Sequence, residues 1–214
     1  MSTIKTTNIT HGSNSGTNNL VLTDTGNVTV GADLIATKQN GCERIVLEQF
    51  YTPCDGSVIA TSAGNITVPN VTAGLDVGQS WTDVTGSAIT YTPPTGTTQV
   101  IYHFNFVYIG YGATGFTSFR LMLAGTEVTD ARKHESATAD YAQTNNYQWG
   151  FNVGGSDTAA TGRVASWSSG KEIKIQAYDY SSGNNSFLHQ LHYWEGSDVT
   201  DFVTKPCLGI TAIG

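Results

Sequence analysis

The amino-acid sequence predicts an all-β protein: an antiparallel jelly-roll β-sandwich head that carries an extended N-terminal arm. Three observations point there. Only 13% of the 214 residues are charged, so Thr, Ser, Asn and 24 glycines must cover much of the surface, a composition suited to strands and tight turns rather than helices. Nine to eleven short apolar or aromatic runs are separated by Gly/Ser/Asn clusters, which is the pattern of a sandwich of antiparallel sheets. The first forty residues contain no aromatic residue, whereas aromatic residues recur throughout the remainder.

This contrast divides the chain into an arm, residues 1–43, and a head, residues 44–214. In the arm, short apolar groups follow glycines: Gly16 precedes Leu20 and Leu22, Gly26 precedes Val28 and Val30, and Gly31 precedes Leu34. Two or three alternating side chains per segment cannot bury a core alone. Three copies winding about a common axis would bury Leu20, Leu22, Val28, Val30 and Leu34, so these are the candidate residues for arm packing and attachment, and a homotrimer is expected. The same composition also suits a disordered polar tail.

The head begins with alternation through residues 45–50, ended by a Pro53-Cys-Asp-Gly56 turn in which proline fixes φ and glycine accepts a positive φ. Residues 58–60, 66–68 and 88–92 read as short strands, the last stopped by Pro93-Pro94. The strongest strand is 99–109: Tyr102, Phe104, Phe106 and Tyr108 share one face and Ile101, His103, Asn105 and Val107 the other. That pattern predicts a central strand covered on both sides. Residues 119–123 continue the series. Residues 130–141 have no apolar period and read as a long loop. Strands are expected again at 147–151, 163–167, 173–177, 188–194 and 208–212.

The formal charge of −7 speaks against duplex nucleic acid or an anionic membrane as partner, since both require a concentrated basic face. No uncharged apolar run reaches the length of a membrane span, and the first ten residues lack the apolar segment of a secretory signal, so synthesis in the cytosol is expected. Cys42, Cys54 and Cys207 form no metal-binding pattern. Three reduced thiols are the expectation in that compartment, with a Cys42–Cys54 clip as the alternative. Sequons at Asn8, Asn27, Asn65, Asn70 and Asn184 follow from the Thr/Asn-rich composition.

No pattern nominates a catalytic residue, a cofactor or a metal. His189 and His192 are three apart on an expected strand, which sends them to opposite faces and argues against a shared zinc. His103 reads as a core or interface residue. Asp179 reads as a turn residue rather than one ligand of a calcium ion, which needs six to eight oxygens. Gly110-Tyr-Gly112 and Gly154-Gly-Ser156 lack the Gly-Lys-Ser/Thr of a phosphate loop, and no Gly-x-Ser-x-Gly elbow occurs. What remains is surface recognition, because Tyr and Trp beside Asn, Ser and Gly make rigid, wettable contacts. Tyr111, Tyr147, Trp149 and Tyr180 are the candidates.

Residues 20–30, 47–57, 83–94, 174–180, 191–196 and 206–214 resemble small fibre or decoration proteins of tailed bacteriophages, particularly those abundant in marine phage sequences. The resemblance implies a non-enzymatic virion protein: a homotrimer with a jelly-roll head of the tumour-necrosis-factor or C1q kind, joined through its arm to other proteins of the capsid or tail. The short arm favours a capsid decoration or head fibre. The alternative is a tail-fibre tip that recognises host surface glycan. A glycan-degrading enzyme, with two carboxylates flanking a groove, is a third reading for which no pair can be nominated.

Overall fold

In the computed structural model of the chain, the described backbone comprises residues 44–111, 113–195 and 198–214, with three earlier segments, Asn8–Ile9, Leu20–Leu22 and Val28–Thr29; side chains are described outside those segments and outside 192–201. The chain divides into two compact units, residues 1–45 and 46–214. In the first, the three segments form an antiparallel sheet in chain order. The side chains of Leu20, Leu22 and Val28, all of Val30 and Leu34, and Cys42 lie outside the described residues.

The second unit is all-β, with every paired strand antiparallel. Its principal strands are β1 (Val46–Pro53), β2 (Ile89–Tyr91), β3 (Gln99–Gly110), β4 (Gly115–Leu123), β5 (Thr126–Ala137), β6 (Ala142–Asn152), β7 (Lys171–Asp179) and β8 (Cys207–Ile213). One sheet runs β1-β8-β3-β6 and the other β2-β7-β4-β5. Beyond β8, β3 also pairs with Ser186–Leu188, and that short strand with Leu75–Val77. Thr82–Asp83 extends the β2 edge of the second sheet along β7.

A single apolar core lies between the sheets. Tyr102, Phe104, Phe106 and Tyr108 of β3 enter it from one side; Phe119 and Leu121 of β4, with Ile173 and Ile175 of β7, enter from the other. Each such side chain contributes roughly 1.5–3 kcal/mol when fully buried. Rings with polar tips stay buried because each tip finds an acceptor. The Tyr91 hydroxyl donates to Glu48 at 2.6 Å, the Tyr102 hydroxyl to the Ser87 carbonyl at 2.7 Å, and Trp167 Nε1 to the Tyr91 carbonyl at 2.9 Å.

Several expectations change. Residues 130–141 are not a long loop: most belong to β5, which pairs with β4. Its register shifts opposite Phe119 and Leu121, and over residues 130–137 its only buried side chains are the small Ala131 and Ala137, so the bulge and the small side chains hide the alternation. Residues 163–167 are not a strand but follow a short 3₁₀ turn at Ala159–Thr161. The expected strand 188–194 is broken at His189, whose φ of 62° is left-handed. β3 is central in its sheet, yet only its Tyr102 face is closed; Ile101, His103, Asn105 and Val107 are half-buried. Cys54 is a free, buried thiol 3.4 Å from the Gly86 carbonyl; Cys42, its alternative partner, lies outside the described residues.

Candidate functional site

At one end of the sandwich β3, β5 and β7 finish and β4 and β6 start. The link from β3 to β4 folds back so tightly that a Cβ at Gly110 would lie 2.5 Å from the Ala113 carbonyl oxygen and 2.6 Å from the Gly115 nitrogen. Only glycine fits this approach. Beneath the loops sits a buried polar knot. The Thr117 hydroxyl donates to the Tyr108 hydroxyl at 3.2 Å, which lies 3.4 Å from Ser186 Oγ, and the Ser186 N–H donates to Asp179 Oδ2 at 3.2 Å. Burial raises the Tyr108 pKa, while its bonds to Ser186 and Thr117 oppose the shift. Asp179 therefore anchors the 180–185 connection from inside.

Above the knot, four rings reach solvent. Tyr141 is 72% exposed, Tyr180 68%, Tyr111 42% and Phe116 39%. They are positioned by backbone and ring contacts. The Tyr111 N–H donates to the Asn185 carbonyl at 2.8 Å and Asn185 Nδ2 returns a bond to the Tyr111 carbonyl at 2.9 Å. The Tyr180 N–H donates to the Phe116 carbonyl at 2.9 Å, and the Asp140 N–H to the Gly110 carbonyl at 2.6 Å. Tyr111 meets Phe187 edge-on at 5.6 Å, Tyr180 meets Phe116 edge-on at 5.4 Å, and Phe116 stacks on His134 at 6.4 Å. Exposed rings held this way, beside Asn184, Asn185 and Ser181, can stack on an apolar face and hydrogen-bond at its rim.

Of the four recognition candidates, Tyr111 and Tyr180 therefore stand at this end. Tyr147 and Trp149 do not. Tyr147 is 2% exposed, its hydroxyl donates to the Ala131 carbonyl and Lys133 Nζ lies 4.6 Å from its ring. Trp149 is half-buried against the core, with Nε1 donating to the Thr161 carbonyl at 3.0 Å. The signal was present in the alternation 147, 149, 151, which puts both rings on the side of Phe151 and opposite Phe104 and Tyr102. Sequence reasoning missed Tyr141, because residues 130–141 read as a loop with no marked ring, and it did not name Phe116 among its four candidates.

The outward faces of the two sheets differ in charge. Over β1, β8, β3 and β6, the outward face is formed by Gln49, Tyr51 and Pro53, by Cys207 to Ile213 in alternation, of which Gly209 and Thr211 are covered, by Ile101 to Val107 in alternation, and by the even-numbered residues of 142–152. On these four strands it holds no Asp, Glu, Lys or Arg; the carboxylate of the exposed Asp76 stands beyond them, on the short strand Leu75–Val77 at the edge of the same sheet. Tyr51 lies over Gly209, and burial lowers the pKa of His103 in the neighbouring row. The outward face of the other sheet holds all four ion pairs found among the described residues: Arg120 and Arg132 with Glu127, and Lys174 with Asp83 and Glu172.

Other constellations among the described residues carry no chemistry of their own. No group of three or more His, Cys, Asp or Glu could hold a metal ion, and no helix is long and apolar enough to cross a membrane. A cleft of about 570 Å³ is lined by residues 92–97 and 165–168 with Ser62, Ala63 and Val153, none of them titratable.

No family model and no curated protein matches the sequence. Among solved structures, the chain is similar to the EclA C-terminal domain, described as a sugar-binding protein, with a TM-score of 0.32 and 12% identity over 67% of this chain and 89% of that one. It is also similar to infectious bursal disease virus structures: the Gx strain at TM-score 0.36 and 8% identity over 78% of this chain, and the Gt strain at 0.26 and 8% over 73%. The alignments span 41% and 50% of those viral chains. Likenesses this low carry no argument about the role of this chain.

Proposed function

We propose that this protein is a non-enzymatic structural protein of a phage virion, a trimeric capsid decoration or head-fibre protein with a jelly-roll head and an N-terminal attachment arm. The observation that carries the trimeric head is the segregation of charge between its two outward faces. The part of the face over β1, β8, β3 and β6, free of Asp, Glu, Lys and Arg, can be buried against copies of itself without stranding a charge, and charge depletion is what distinguishes the centre of a protein interface. The head's topology agrees with a jelly roll. Numbered over the eight principal strands, leaving out the short ones, the sheets run 1-8-3-6 and 2-7-4-5, the order produced when a long antiparallel hairpin rolls into two sheets. Placement in a virion rests on the resemblance of the sequence to phage fibre and decoration proteins.

Sedimentation of the purified chain is expected to give a trimer, and Asn105→Asp, which sets a carboxylate on the uncharged face in each copy, is expected to shift it toward monomer at pH 8. A monomeric parent chain at micromolar concentration would overturn the assembly. Localising the chain on intact particles by labelled density tests the virion role and separates capsid from tail.

A second reading, a receptor-binding tip for host surface glycan, is favoured by the ring cluster of Tyr111, Phe116, Tyr141 and Tyr180 at one end of the head. Binding of the parent chain to a host glycan, lost in Tyr180→Ala, would support it; silence on host polysaccharide would count against it.

A further inference from the structure

At the opposite end of the sandwich from the ring cluster, a cleft of about 290 Å³ opens between the β4–β5 turn and the segment that precedes β7. Its floor is apolar, formed by Leu123, Val128 and Val164, and three charged side chains line it: Arg163, Lys171 and Asp157. We propose that this cleft binds a single acidic sugar unit, a pyranose bearing a carboxylate.

The argument begins with the cations. On this acidic chain the other lysines and arginines of residues 46–214 are occupied. Arg120 and Arg132 pair with Glu127, and Lys174 with Asp83 and Glu172. Lys205 donates to Asn70 Oδ1 at 2.7 Å and to the Val71 carbonyl at 2.6 Å, and Lys133 donates to the Asn146 carbonyl at 3.2 Å. Arg163 has a single long bond, Nη1 to the Gly154 carbonyl at 3.4 Å, and neither Arg163 nor Lys171 has a carboxylate within ion-pair distance among the described residues. These two under-used cations line the same cleft.

The scaffold holds the groups in place. Gly162, with φ at 71°, reverses the chain directly before Arg163; a Cβ there would lie 2.8 Å from the Phe151 ring. The Thr158 N–H donates to the Arg163 carbonyl at 3.0 Å and the Val164 N–H to the Asn152 carbonyl at 3.1 Å, so both neighbours are tied to fixed backbone. Lys171 opens β7 opposite Tyr91. Asp157 Oδ1 accepts the Ala165 N–H at 2.6 Å, which orients the carboxylate and leaves Oδ2 for another donor.

The donor set then selects the ligand. Arg163 and Lys171 match a carboxylate, with Arg supplying paired N–H groups. Asp157 accepts a hydrogen bond from a hydroxyl, which a sugar acid supplies and a bare anion such as acetate does not. The apolar floor takes the C–H face of a ring. A ligand with one carboxylate, neighbouring hydroxyls and one apolar face satisfies all three, and the cleft is at the small end of ligand sites, suited to one ring rather than a chain of them.

The experiment uses the full chain with sodium glucuronate and sodium galacturonate as probes, read by calorimetry and by saturation-transfer NMR of the ligand protons. Binding with a Kd of about 1 mM is expected, strongest in transfer to the ring C–H protons, with glucose at least about tenfold weaker. Arg163→Gln and Lys171→Gln are each expected to weaken binding about tenfold without altering near-ultraviolet circular dichroism or the sedimentation of the chain. A uronate-ended oligosaccharide binding no less tightly than the free sugar acid would identify a chain terminus as the source; weaker binding would identify the free acid. No saturable binding of either uronate overturns the proposal, as does equal binding of acetate or phosphate, or binding that survives both substitutions. None of these outcomes bears on the trimer or the virion role.

Discussion

His189 makes the head sensitive to acid by an amount that follows from its burial. The ring is fully buried, meets the edges of Phe104 and Phe106 at 6.2 and 6.1 Å, and neither nitrogen has a hydrogen-bond partner among the described residues. Burial pushes its pKa from 6.5 down to about 4, against a smaller opposing pull from the Thr85 backbone. The folded pKa lies below the unfolded one, so the unfolded chain takes up the proton first as the pH falls. The resulting stability is intact above pH 6.5 and is lost through pH 4; linkage gives a loss of about 2 kcal/mol by pH 5 and about 3 kcal/mol by pH 4. His189→Phe keeps a ring among the two phenylalanines and removes the titration, and whatever strain the left-handed backbone imposes is the same at every pH. Urea denaturation of both chains from pH 7.5 to pH 4 is the assay. The parent should lose about 3 kcal/mol more than the variant over this range. Acid losses from Asp83 and Glu127 cancel in the difference, since both chains carry them. Parallel stability curves would refute the reasoning and mean that the folded state protonates His189 as readily as the unfolded chain does.

Tyr180→Ala removes a ring that is 68% exposed and should change stability by less than about 1 kcal/mol, whereas Tyr147→Ala, cut from the core, should cost about 3–5 kcal/mol; thermal unfolding distinguishes them. Gly110→Ala drives a Cβ to 2.5 Å from a carbonyl oxygen and should cost several kcal/mol, while Gly78→Ala, with open space around it, should stay within about 0.5 kcal/mol in the same assay. The Cys54 thiol, pushed up to about 12 chiefly by burial, should resist iodoacetamide at pH 8 until urea unfolds the head, as mass spectrometry would show.

The strand alternation was legible where one face is both large and apolar. Tyr102, Phe104, Phe106 and Tyr108 could be assigned to one face of one strand, and they line the core. It failed where packing is asymmetric: beyond Val128, β5 shifts register and turns only Ala131 and Ala137 inward, so its polar outer residues dominate the sequence there. Tyr147 and Trp149 were misplaced for a different reason. Their alternation with Phe151 was visible, but a tyrosine or tryptophan beside polar residues resembles a surface ring unless the acceptor for its polar tip is known, and those acceptors, Ala131 and Thr161, are supplied only by the fold. The cleft of Arg163 and Lys171 had no local signature at all, because Leu123, Val128 and Asp157 reach it from separate elements.

Charge scarcity has a different standing. It was visible in the composition, but composition alone treats it as a property of the whole surface. β3, β6 and β8 contain no Asp, Glu, Lys or Arg anywhere along their length, and β1 contains only Glu48, which points inward to the Tyr91 hydroxyl. β4, β5 and β7 all carry charges. These uncharged strands are far apart in the chain, and the pairing β1-β8-β3-β6 brings them into one sheet. Core packing explains the inward half of each uncharged strand and places no demand on the outward half, where water would accept lysine or glutamate at no cost. Scarcity arising from composition alone would thin the charges on both sheets alike. Over these four strands the scarcity is confined to one face, which is what the proposed burial of that face against other copies would require, because a charge left unpaired in such an interface costs several kcal/mol in each subunit.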